Sequence, residues 1–86
     1  MPRRTRYDIY QDILGAIQRR GMLGITRISY AANMPVDRAK DAVEFLMERG
    51  LCALEDYAGN EGYVITARGG RFLKALKTVK QFLKKP

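Results

Sequence analysis

With 86 residues, 47% of them hydrophobic, and a formal net charge of +7, the chain is sized and composed for one small globular domain. A single cysteine and the absence of histidine exclude an internal disulfide, a cysteine-cluster metal site, His-ligated metals and the Ser–His or Cys–His nucleophile pairs. No apolar run reaches the length of about 18 residues that a membrane span needs, and no charged-then-apolar leader precedes a cleavage site.

A domain of this size buries only about 60–65% of the surface its unfolded chain exposes, so a second copy would add usefully to its core. No residue set is arranged for catalysis, and no cofactor or small-molecule substrate is expected. The charge is unevenly placed. Residues 1–6 hold three arginines and no acid, whereas residues 21–57 hold six acids against four bases. Residues 58–86 hold seven bases against Glu61 alone. Cationic ends on a mildly anionic middle favour polyanions, and phosphate backbones are the commonest of these in cells.

In chain order, Ile9, Tyr10, Ile13, Leu14 and Ile17 recur on one face of a helix over residues 6–20. Gly21 is its stop, with Arg19 and Arg20 in the last turn. Gly24-Ile25 leaves room for one extended pairing. Thr26 is the expected cap of a short second helix, Arg27 to Ala32, packed through Ile28 and Ala31 or Ala32. Asn33-Met34-Pro35 reads as a turn, because asparagine tolerates the left-handed conformation and proline suits a helix start. A third helix over 36–49 would bury Val36, Ala39, Val43, Leu46 and Met47 and end at Gly50. Two helices joined by three residues make a helix-turn-helix.

Leu51 to Tyr57 reads as a strand, Ala58 to Gly62 as a turn with Asn60 at its tip, and Tyr63-Val64-Ile65 as the returning strand. Tyr57 and Tyr63 then flank the turn of a hairpin wing. Thr66 is the expected cap of a fourth helix that runs to Leu83. The predicted fold is mainly α with a small β-hairpin, a winged helix-turn-helix of three helices, wing and C-terminal helix. One domain spans 1–86, with a basic arm over 1–5 and the C-terminal helix over 66–84.

Three segments carry a resemblance: Thr26-Arg27-Ile28-Ser29-Tyr30-Ala31-Ala32-Asn33-Met34, the helix end Glu48-Arg49-Gly50-Leu51, and Tyr63-Val64-Ile65-Thr66 with Gly69. Together they resemble the archaeal ten-kilodalton winged-helix DNA-binding proteins, a group with chromatin-associated and regulator-like members. The resemblance covers residues 6–83. It implies a homodimer formed by the C-terminal helix, and duplex contact through the helix-turn-helix and wing. In two places this sequence departs from the pattern. Pro35 sits where that family tends to carry a serine cap, and the C-terminal helix is short, which suits a small dimer contact better than a long coiled coil.

The candidate DNA contacts begin with Arg3, Arg4 and Arg6, before and at the start of the first helix. Arg27, Ser29, Tyr30 and Asn33 lie on or beside the second helix, Arg38 and Lys40 on the third, and Asn60 in the wing. Phe72, Leu76, Val79 and Leu83 step 4, 3 and 4 along the last helix, a two-heptad seam that Phe82 and Leu73 widen. A dimer along this seam, and a helix packed on its own domain with a solvated lysine face, are the two readings. Gly69 and Gly70 each cost up to about 1 kcal/mol against alanine, so a close approach of helix to hairpin is expected there.

Asp37, Asp41, Glu44 and Glu48 form one acidic stripe on the third helix, which phosphates would repel if that helix lay along the major groove. The helix is therefore expected to enter end-on, to stay off the DNA, or to meet a protein partner through the stripe. Asp8 and Asp12, spaced i,i+4, read as a solvated face, and Cys52 as a small buried strand residue. The sequence thus points to a non-enzymatic, cytoplasmic, nucleoid-associated protein. It would be a homodimeric transcriptional regulator or chromatin component that grips double-stranded DNA largely through phosphates. The alternative is a protein-interaction module of a nucleic-acid-processing assembly. RNA binding ranks lower, since no aromatic stacking sheet is expected.

Overall fold

Thr5 starts the first helix. In the computed structural model, which describes residues 5–84, its hydroxyl accepts from the Asp8 N–H at 3.2 Å while the Asp8 carboxylate accepts from the Thr5 N–H at 2.9 Å. This reciprocal box satisfies donors that α1 (Arg6–Arg20) would otherwise leave unpaired. Asp8 is thus more than part of a solvated face, and it also pairs with Lys80 of the last helix. Gly21 closes α1 at a φ of 87°, donating to the Ile17 carbonyl at 2.7 Å.

The second helix, α2 (Ile25–Ala32), begins two residues earlier than expected and is not capped by Thr26. Leu23 exchanges backbone hydrogen bonds with Tyr63 at 3.0 and 2.7 Å, which pins the chain just upstream. Half-buried Ile25 then packs on the core as the first helical residue, and Gly24 takes the cap position without a side-chain bond. Ile28 and Ala32 are buried, whereas Ala31 is exposed. Asn33 ends α2 in the left-handed conformation (φ 54°, ψ 54°) as its type allows.

Pro35 precedes α3 (Val36–Glu48) at the cap position, and its carbonyl accepts from the Ala39 N–H at 2.9 Å. Ala39, Val43 and Leu46 are buried and Met47 partly so. Val36, expected inside, is 42% exposed, because the first turn of α3 projects beyond the core.

The wing pairs β1 (Cys52–Tyr57) with β2 (Asn60–Ile65) antiparallel, from Cys52 opposite Ile65 to Tyr57 opposite Asn60. Its turn is therefore Ala58-Gly59, shorter than the sequence suggested, with φ of 54° and 84°. The Asp56 carboxylate accepts from the Gly59 N–H at 3.1 Å and tightens it. Asn60 is thus the first residue of β2 instead of the tip, and Tyr63 lies opposite Leu54, away from the turn.

The last helix, α4 (Ala67–Leu83), is anchored where α3 hands over to β1. Thr66 caps it, accepting from the Gly69 N–H at 2.9 Å and donating to the Gly50 carbonyl at 2.6 Å. The Arg68 Nε donates to the Arg49 carbonyl at 2.9 Å. A Cβ at Gly69 would lie 1.9 Å from the Leu51 carbonyl oxygen, so the expected close approach is real there. Gly70 shows none, with nothing nearer than Gln18 Nε2 at 4.0 Å.

From this corner α4 runs back along α1 and delivers Leu73 to a core of Ile13, Leu14, Ile17, Ile28, Val43 and Leu46. Leu73 therefore belongs to the domain's own interior and does not widen a seam. Tyr10 stacks on Phe45 with ring centroids 5.2 Å apart, and the Arg49 guanidinium covers the same ring at 4.9 Å. Cys52 is buried, as expected of a small strand residue, and burial pushes its thiol up to about 11. Among the described residues no helix is long and apolar enough to cross a membrane.

Gly69→Ala is expected to lower stability by about 2–3 kcal/mol, since a methyl there collides with backbone that cannot move aside. Gly70→Ala should instead raise it by up to about 1 kcal/mol through helix propensity alone. Urea unfolding of both variants beside the parent checks the two signs, and equal values would remove the packing argument. The pH dependence is equally definite. The Lys80 ammonium, helped by the Thr5 backbone, holds the Asp8 carboxyl down from 3.8 to about 2. A carboxyl depressed on folding contributes stability that is present above about pH 4 and lost as pH falls through about 2. Thermal unfolding across that window should show a loss in the parent that Asp8→Asn lacks.

Candidate nucleic-acid interface

Arg27, Tyr30 and Ala31 point outward from α2 and meet the last turns of α1. With Ala16, Arg19, Arg20 and Leu23 they line an open cleft of about 550 Å³. Its floor is apolar, and all its ionic groups are guanidinium. A second cleft of about 490 Å³ lies between α1 and α4, lined by Gln18, Ala67, Gly70, Arg71, Leu73, Lys74 and Lys77. No carboxylate lines either one. Among the described residues none of these six cations forms an ion pair.

Arg27 and Tyr30, two of the expected contacts, are therefore brought together, beside Arg19 and Arg20, which sequence reasoning read only as a helix end. The available signal was their place in the last turn of α1, just ahead of the segment that leads into α2. Ser29, expected to touch DNA, cannot do so. It is 4% exposed, and its hydroxyl donates to the Thr26 carbonyl at 2.6 Å. Asn33 is exposed, but its backbone is committed to ending α2, with its N–H on the Ser29 and Tyr30 carbonyls. Arg6 is exposed at the start of α1, while Arg3 and Arg4 lie outside the described residues.

On α3 the four carboxylates Asp37, Asp41, Glu44 and Glu48 are all exposed, as are Arg38 and Lys40. Those two cations stand about 200° apart around the helix, one on each border of the acidic stripe. The wing adds Glu55, Asp56 and Glu61 and no cation. Asn60 is exposed opposite Tyr57, whose ring is also exposed. Tyr63 is raised in pKa, by burial first and then by the charges of Cys52, Glu61 and Glu44. Arg49, Arg68 and Lys80 are each occupied by contacts within the fold.

Along α4 the expected seam divides. Phe72 and Leu76 are half-buried on their own domain, whereas Val79, Phe82 and Leu83 are 52%, 83% and 79% exposed. The last two turns of α4 thus present apolar side chains that the rest of the described chain does not cover.

A family model described as winged helix-turn-helix matches residues 3–84. No curated protein matches the chain closely enough to count as a relative. Among solved structures, the DNA-binding protein Sso10a-2 from Sulfolobus solfataricus superposes with a TM-score of 0.78 at 24% identity, over 93% of this chain and 81% of that one. A MarR family transcriptional regulator from Silicibacter pomeroyi gives 0.77 at 17% identity, covering 87% of this chain but only 52% of its own. The S. aureus MepR–DNA complex gives 0.71 at 16% identity, over 91% and 56% of the two chains. At such identities the likeness is one of fold.

Proposed function

The chain belongs to the winged helix-turn-helix family, and on that premise we propose that it binds double-stranded DNA as a homodimer, largely through phosphate contacts. The observation that carries this reading is the set of exposed guanidinium and ammonium groups on α1, α2 and α4, in clefts that no carboxylate lines. Phosphate is the ligand such groups hold best, with arginine supplying a two-pronged donor and lysine a point charge. Arg6, Arg27, Tyr30 and the arm residues Arg3 and Arg4 extend the same reading toward α2, while Arg38 and Lys40 on α3 share their face with four carboxylates. Asn60 adds an uncharged donor in the wing. Several solved structures of this fold are described as DNA-binding proteins or transcriptional regulators, which supports a regulator or chromatin role. The protein acts without catalysis or cofactor, in the cytoplasm, on the nucleoid.

The homodimer reading rests on Phe72, Leu76, Val79 and Leu83. A second copy covering the last two turns of α4 would bury side chains now in water, and each large one removed from solvent contributes about 1.5–3 kcal/mol. A second reading, a protein-interaction module, is favoured by one observation, the four exposed carboxylates of α3.

Fluorescence anisotropy with a labelled random duplex should give micromolar-range binding that weakens steeply with salt, with a log–log slope of about −0.9 per phosphate neutralised. A slope near zero would remove the phosphate mechanism. Light scattering should return twice the 9.8 kDa mass of one chain. Val79→Glu with Leu83→Glu should return the single mass, since both positions are exposed and their change leaves the core intact. A parent that already runs at the single mass would refute the dimer.

A further inference from the structure

We infer that the duplex backbone is held by a basic belt across the C-terminal end of α1, and not by the face of α3. The belt consists of Arg27, Arg20 and Arg19 on one side and Arg71, Lys74 and Lys77 on the other. It rests on the duplex-binding reading and names the surface that carries it.

The charge on the two faces decides between them. Four carboxylates on α3 stand against Arg38 and Lys40, and the wing beside them has three carboxylates and no cation. Phosphates brought to that face meet net repulsion, which a low-salt medium strengthens. The belt has six cations, and no carboxylate lines its clefts. Along α1 the preceding acid is Asp12, one turn before Ala16. Arg19 and Arg20 also cover the negative end of the α1 dipole, which would otherwise oppose an anion there.

Geometry supports the same assignment. Ala16 lines one cleft and Gln18 the other, and these residues stand about 200° apart around α1. The clefts therefore flank the arc of α1 that carries exposed Arg19. In the first cleft Tyr30 stands beside an apolar floor of Ala16, Leu23 and Ala31, a surface suited to deoxyribose.

The belt is also compatible with a dimer. On α4, Arg71, Lys74 and Lys77 occupy one flank and Phe72, Leu76, Val79 and Leu83 the other, so a second copy on the seam leaves the cations open.

Three charge-matched variants test the inference: Arg19→Gln with Arg20→Gln, Lys74→Gln with Lys77→Gln, and Arg38→Gln with Lys40→Gln. Each removes two exposed cations, so a difference among them reflects position and not net charge. With a labelled random duplex across a salt series, each belt pair should weaken binding at least about tenfold and flatten the slope by roughly 2, while the α3 pair changes affinity less than about threefold. Equal losses in all three, or the largest loss in the α3 pair, would overturn the belt and leave duplex binding standing. A parent that does not bind duplex at all would overturn both.

Discussion

The contact between the Leu51 carbonyl and Gly69 fixes where everything after the wing can go. Any side chain at position 69 would hold α4 away from the corner between α3 and β1. With hydrogen there, the first turn of α4 settles on that corner. Thr66 ties it to Gly50 as it caps the helix, and Arg68 ties it to Arg49. The direction of α4 is then set, and it returns along α1 far enough for Leu73 to enter the core and Lys80 to reach Asp8. One small residue thereby determines which flank of α4 carries cations beside α1 and which flank is left apolar.

Much of this was legible in the sequence because local signals and tertiary packing agreed. The apolar spacing of Ile9 to Ile17, the stop at Gly21 and the Thr66 cap were each read from residues whose physics is local. Where the reading failed, a distant contact had overruled a local preference. Thr26 is a good cap, but Leu23 is already pinned to Tyr63, and burial of Ile25 starts α2 before threonine can act. Ala58 gave no hint of a left-handed backbone, so the turn was placed around Asn60 and the wing drawn too short. Ser29 looked like a ligand contact only because its hydroxyl partner, the Thr26 carbonyl, is invisible in composition. Among the candidate contacts, the pairing of Arg27 with Tyr30 was available from their three-residue spacing. The part played by Arg19 and Arg20 needed α2 to be seen folded against α1.

A winged helix is often read through its third helix, but fold and binding face are separate questions. The scaffold places α3 and the wing outward, yet selection of residue types has made both anionic. The clefts lined by cations and no carboxylate sit on α1, α2 and α4, the elements usually credited with support. The aromatic stack of Tyr10 on Phe45, with Arg49 above it, holds α1 against α3 and so keeps the two faces in fixed relation.

Burial of Cys52 has a consequence for how such a protein senses its surroundings. Histidine is absent, and the one thiol is lifted to about 11, so the two side chains that most often change charge near neutrality offer no titration there. Modest acidification below neutrality therefore finds no imidazole to charge and no thiolate to discharge.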